Sequence, residues 1–370
     1  MSENQSKKIV ICPDSFKGTL SSIAAAETIA EAIKYSMPEA NLVVLPIADG
    51  GEGTIDCFKR GAEGREVSVQ TRNSNFKTIT ASYLLSNHSA IIESARVVGL
   101  SLTEEKNPSR TTTYGIGQLI ADALRRTKKV ILALGGSSTN DGGCGIAVAL
   151  GAKFYSKRGN EFVPTGGSLI DIERIDISGL PKIDMTCMCD VKNTMYGQNG
   201  AAYVYARQKG ADDAMIEKLD IGLRHLSKKI EESTGKNVAD VIGGGAAGAI
   251  AAGMVAFFDA KLKSGISVML DAVDFNKIID GADLIITGEG RLDSQSLQGK
   301  ALDGILQRAT DKGVPVIAVC GQVESNLDIK KAGLQFAVAT SDNADLILSY
   351  RDYKMELYIT VRKLFDKLYK

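Results

Sequence analysis

Six short apolar runs, Lys8–Cys12, Leu42–Ile47, Val130–Leu134, Met185–Cys189, Leu284–Thr287 and Val314–Cys320, punctuate the chain, with helical patterns between several of them. Such runs read as strands, and strands alternating with helices argue for parallel α/β sheets, whose ligands bind beyond the carboxyl ends of the strands. The first helix is legible in detail: Ile23, Ala26, Ala30 and Ile33 fall on one face, and Thr19, Ser21 or Ser22 would cap its start. Between Glu66 and Glu93 the pattern changes to V-S-V-Q-T-R, T-I-T-A-S-Y-L-L and A-I-I-E, separated by polar turns, which predicts antiparallel hairpins. At 370 residues the chain exceeds the usual size of a single core. The expected division is an α/β domain made of residues 1–65 plus 280–370, with a mixed-sheet α/β domain, 66–279, inserted into it.

Lys plus Arg and Asp plus Glu number 44 each, so no overall basic field exists to hold nucleic acid or an anionic membrane, and any anion site must be local. The start, M-S-E-N-Q-S-K-K-I-V-I-C, shows no long apolar secretory stretch, so a cytoplasmic protein is expected. The uncharged segment Val241–Phe258 reads as a buried, closely packed helix, because glycine and alanine dominate it and no basic cluster flanks it. Six cysteines without a C-x-x-C pair read as reduced, buried thiols, and with His88 and His225 as the only histidines a His-rich zinc site is unfavoured. Oligomeric state is not legible.

Loops rich in glycine and carboxylates follow the strands. The densest is V-I-L-A-L-G-G-S-S-T-N-D-G-G, in which Gly135, Gly136, Ser137, Ser138, Thr139, Asn140, Gly142 and Gly143 suit nucleotide phosphates and Asp141 suits a metal. C-P-D-S-F-K-G-T puts Asp14, Ser15 and Lys17 ahead of a helix start, where they suit an anion or a substrate hydroxyl. P-I-A-D-G-G-E-G-T offers Asp49 and Glu52, and M-T-C-M-C-D-V-K-N offers Asp190 as metal ligand or proton acceptor. I-T-G-E-G-R-L-D supplies Glu289 or Asp293 for a metal and Arg291 to neutralise a moving phosphoryl group, with Lys300 beyond. Gly243, Gly245 and Gly248 fit G-x-G-x-x-G, but K-N-V-A-D-V-I ahead of them is a poor strand, and Gly299-Lys300-Ala301 is no Walker A loop.

Taken in order, these pieces, together with T-T-T-Y-G-I-G-Q-L-I and G-G-G-A-A-G, resemble the type 1 glycerate kinases of bacteria, from Lys8 to Gly321. The resemblance implies ATP-dependent phosphorylation of D-glycerate to 2-phosphoglycerate, with Mg²⁺ as cofactor. It also implies a flavodoxin-like domain and a mixed-sheet domain with the active site between them. Phosphorylation of the 3-hydroxyl, or of a related hydroxy acid, is the alternative. On this reading Asp190, Lys17 and Arg291 are catalytic, Asp14, Ser15, Lys17 and Asp49 hold substrate, Gly135–Gly143 hold nucleotide, and Asp141, Asp190 and Glu289 hold the metal. The chain departs at Thr194-Met195, where relatives often carry proline and leucine, and at Ser138, where alanine is common. Rival readings are a phosphatase with Asp14 as nucleophile, a nicotinamide dehydrogenase built on Gly243–Gly248, and a non-catalytic sensor.

Overall fold

The computed structural model describes residues 6–16, 19–86, 89–103, 105–294, 296, 301–340 and 350–369. Lys17, His88 and Lys300 lie outside them. The chain forms two compact units, the first Met1–Asp49, Asp56–Ala62 and Ile266–Lys370, the second Gly50–Ile55 and Glu63–Gly265.

All five strands described in the main sheet of the first unit run parallel, in the order Phe336–Ala339, Val316–Cys320, Leu284–Thr287, Lys8–Ile11, Asn41–Val44. A parallel sheet needs cover on its faces, and the apolar runs meet that need: Ile9, Ile11, Ile286 and Ile317 are buried with Leu357, Val361 and Phe365 from the terminal helix Tyr350–Tyr369. The first helix spans Ser22–Ser36, and Ser21 caps it by accepting a hydrogen bond from the Ala24 amide at 3.2 Å. Its buried face is Ala25, Ala26, Ile29, Ala32 and Ile33, while Ile23 and Ala30 are only half-buried. The expected stripe is thus rotated toward the alanines, which allow a closer approach to the sheet and the terminal helix.

In the second unit the sheet order is Lys261–Lys263, Asp184–Met188, Lys129–Ala133, Ala90–Glu93, Thr78–Ser86, Gly64–Arg72. The first four strands pair in parallel and the last two are joined antiparallel, so the sheet is mixed. The hairpin between Arg72 and Thr78 is pinned by Asn73, whose Oδ1 accepts from the Asn75 and Lys77 amides. A small antiparallel sheet, Lys153–Ser156 with Glu161–Phe162 and Ile172–Asp176, gave no strong sequence signal because its strands are short and interleaved with charge. No described helix is long and apolar enough to cross a membrane.

All six cysteines are free thiols, and Cys12, Cys144, Cys187 and Cys320 are fully buried. Burial pushes each of these thiols upward, Cys320 to about 12 against an ordinary 9.0. Above pH 9 the unfolded chain therefore holds fewer protons than the folded one, so stability must fall with rising pH. The slope approaches about 1.4 kcal/mol per pH unit for each such thiol. Urea denaturation under reducing conditions between pH 8 and 10.5 checks this, and a flat profile would contradict it.

Candidate active site

In the first unit, Lys8–Ile11 and Leu284–Thr287 are adjacent parallel strands, so the loops leaving their carboxyl ends run side by side. The Asp14 amide donates to Gly288 O at 2.8 Å, and Thr287 Oγ1 donates to Cys12 O at 3.0 Å. These ties bring Asp14 and Glu289 to the rim of one small hollow, floored by Ala301, Leu302, Ala318 and Cys320. Both carboxylates are half-buried, and Asp14 Oδ1 accepts from the Ser15 amide at 2.6 Å, which fixes its rotamer. Gly288 is required here, since a Cβ would sit 2.1 Å from Val319 O. Arg291 is exposed on the short strand Arg291–Leu292, and Asp293 Oδ1 accepts from the Ser296 amide and hydroxyl. Asp49 is half-buried beyond Asn41–Val44.

In the second unit, Lys129–Ala133 opens into the glycine-rich loop, which ends at the helix Cys144–Ala149. Gly136, Gly142 and Gly143 have φ of 77°, 61° and 74°, so the loop takes turns that side chains would strain. Most of it is interior: Ser137, Ser138, Thr139, Asn140 and Asp141 are buried, Gly135 is half-buried and Gly136 is exposed. Asp141 Oδ2 accepts from the Thr113 amide at 2.7 Å, the Thr113 hydroxyl at 2.9 Å, the Gly145 amide at 3.2 Å and the Thr112 hydroxyl at 3.3 Å. Oδ1 accepts from the Gly143 amide at 3.2 Å. Burial still holds this carboxyl above its ordinary range, against the downward pull of the Thr113, Gly145 and Gly143 donors.

The T-T-T-Y segment is thereby explained: Thr111 Oγ1 donates to Ser138 O, and Thr113 ties to both Asp141 and the Ile146 amide. Behind the loop lies the helical segment Ala246–Phe258, kinked at its start by a left-handed turn over Ala247, Gly248 and Ala249, where Gly248 O accepts from the Gly142 amide at 3.1 Å. A Cβ on Gly248 would stand 2.0 Å from Thr139 O, and one on Gly253 would stand 2.1 Å from Gly142 O. The small residues that suggested a dinucleotide motif instead let this helix touch the loop backbone, and the residues leading directly into Gly243 form turns rather than a strand.

Asp190 is exposed after Asp184–Met188, and both its oxygens lie 3.1 Å from the Gly265 amide. Asp141, Asp190 and Glu289 were expected to hold a metal, but among the described residues no group of three or more His, Cys, Asp or Glu side chains is arranged to do so. The reason for Asp141 is physical: five protein donors already surround its carboxylate.

Two residues escaped sequence reasoning. Glu93, 1% exposed at the end of its strand, accepts from the Gly53 and Ile55 amides at 3.0 Å each and fixes the D-G-G-E-G-T loop at the start of the helix Thr54–Gly61. A carboxylate closing the apolar A-I-I-E was the available signal. Lys209 is 2% exposed beneath the glycine-rich loop, its Nζ donating to Thr139 O at 2.7 Å and Ser137 Oγ at 3.2 Å. Burial pushes its ammonium down to about 7, partly offset by Asp141. In R-Q-K-G it looks like any solvated lysine.

The model of the glycerate kinase family matches residues 9–364. The chain is 42% identical to a glycerate kinase of Halalkalibacterium halodurans over 324 residues, 85% of each chain. It is 40% identical to the glycerate 2-kinase of Escherichia coli over 331 residues, 87% of each. A crystal structure assigned as glycerate kinase 2 of Salmonella typhimurium LT2 superposes with a TM-score of 0.86 at 36% identity, covering 98% of both chains.

Proposed function

The chain belongs to the glycerate kinase family, and from that premise we propose that it transfers the γ-phosphate of ATP to the 2-hydroxyl of D-glycerate, giving 2-phosphoglycerate and ADP. The observation that carries the chemistry is the pair Asp14 and Glu289 on one hollow at the carboxyl ends of adjacent parallel strands. Such a position is where α/β sheets bind ligands. Phosphoryl transfer asks the protein for positioning and charge neutralisation more than for covalent chemistry.

In this reading Asp14 orients the attacking hydroxyl and accepts its proton, with Ser15, Lys17 and Asp49 as the other substrate contacts. The exposed turn of the glycine-rich loop, at Gly136, receives nucleotide phosphate, while Asp141 holds the loop in shape from inside. Arg291 is the cation for the moving phosphoryl group. Asp190, whose oxygens grip the Gly265 amide, positions backbone rather than moving the proton. Mg²⁺ bound with a nucleotide needs only one or two protein carboxylates beside phosphate oxygens, a place that Glu289 fits. When bound, the ion supplies neutralisation of phosphate charge.

Incubation with ATP, Mg²⁺ and D-glycerate, followed by phosphorus NMR of the product, tests the reading. Phosphate on the 2-hydroxyl is expected. Phosphate on the 3-hydroxyl would overturn the regiochemistry, and absence of transfer with nucleotide bound would favour a sensor.

A further inference from the structure

We infer that Lys209 is the buried cation that makes the exposed face of the Gly135–Gly143 loop an anion site, a positioning residue acting on the nucleotide phosphates through Ser137 and Thr139. The inference rests on the kinase reading for the identity of the anion. Its own support is geometric. Nζ is enclosed, and its partners are the neutral oxygens of Ser137 and Thr139. Among the described residues no carboxylate comes within ion-pairing distance of it, and Asp141, the charged group acting on it, is engaged by five donors of its own.

A buried charge without a counter-charge is unfavourable, and the loop it supports presents glycine backbone outward. An anion seated at the exposed Gly136 would supply what the ammonium lacks. Nearby, Thr139 Oγ1 and both polar atoms of the Asn140 side chain are buried without a hydrogen-bond partner among the described residues. Buried polar atoms are rarely left so in a finished site, which points to a loop whose polar interior is completed by a ligand. A lysine serving only as a strut would need neither the missing counter-charge nor these orphaned atoms.

The test compares Lys209→Met, which keeps length without charge, with Lys209→Arg. For Lys209→Met the KM for ATP and the Kd for ADP are expected to rise roughly 10-fold or more, while the KM for D-glycerate stays within about twofold and the arginine variant recovers part of the loss. Unchanged ADP affinity in a folded Lys209→Met protein overturns the inference. A second measurement needs no variant. Burial pulls this ammonium down to about 7, so between pH 7 and 9 an anion on the loop should restore its proton, and ADP binding should draw in up to about one, read by calorimetry in Tris and in HEPES. Zero uptake throughout pH 7 to 9 also overturns it. Wild-type transfer to D-glycerate, assayed in parallel, judges the kinase reading separately: turnover with indifferent Lys209 variants removes only Lys209, and proton-linked ADP binding without turnover removes only the kinase.

Discussion

Asp14→Asn is expected to lower kcat by about 100-fold or more while leaving the KM for ATP within a few-fold. The carboxamide keeps the shape that the Ser15 amide and the Gly288 carbonyl impose on this loop, but it cannot take a proton from a hydroxyl. Asp190→Asn serves as the contrast. Both its oxygens lie within reach of the Gly265 amide, which an amide oxygen can still serve, so the loss in kcat should stay below about tenfold. Steady-state kinetics of the two variants decide the matter. Equal and severe losses, or a heavier loss at Asp190, would return the proton acceptor to Asp190.

Asp141→Ala should be the most damaging substitution to stability, by about 3–5 kcal/mol. It strands the amides of Thr113, Gly143 and Gly145 and the hydroxyls of Thr112 and Thr113 in a fully buried place. The Gly142–Gly143 turn at positive φ and the start of Cys144–Ala149 would lose the group that holds them together. Urea denaturation measures the loss, and a variant within about 1 kcal/mol of wild type would mean that the loop is held chiefly by its contacts with Gly248 and Gly253. Asp141→Asn should fall between the two, because one oxygen can still accept while the nitrogen faces donors.

The strands were legible because their signal is local. All six apolar runs read as strands in sequence are strands, with ends moved by one to three residues. The hairpins between Gly64 and Ser86 followed from alternation and from the turn residues around Asn73. The small sheet around Lys153 did not, since two- to five-residue strands mixed with charge offer no period to read. The glycine-rich loop was found as a ligand loop, but its interior could not be anticipated. Whether an aspartate in such a loop faces a ligand or turns inward to collect amides depends on where Thr112 and Thr113, nearly thirty residues away, come to rest.

The amino-acid order thus determined the parallel and mixed sheets, the loops at their carboxyl ends and, through motifs in combination, the family. Tertiary structure alone decided which charged groups stand at a surface and which are enclosed: Asp141 and Lys209 inside, Asp14 and Glu289 at the rim of a hollow. The physical reason is that strand and helix periodicity are written in neighbouring residues. Desolvation, hydrogen-bond saturation and the backbone approach permitted by Gly248 are set by segments that meet only after the chain has folded.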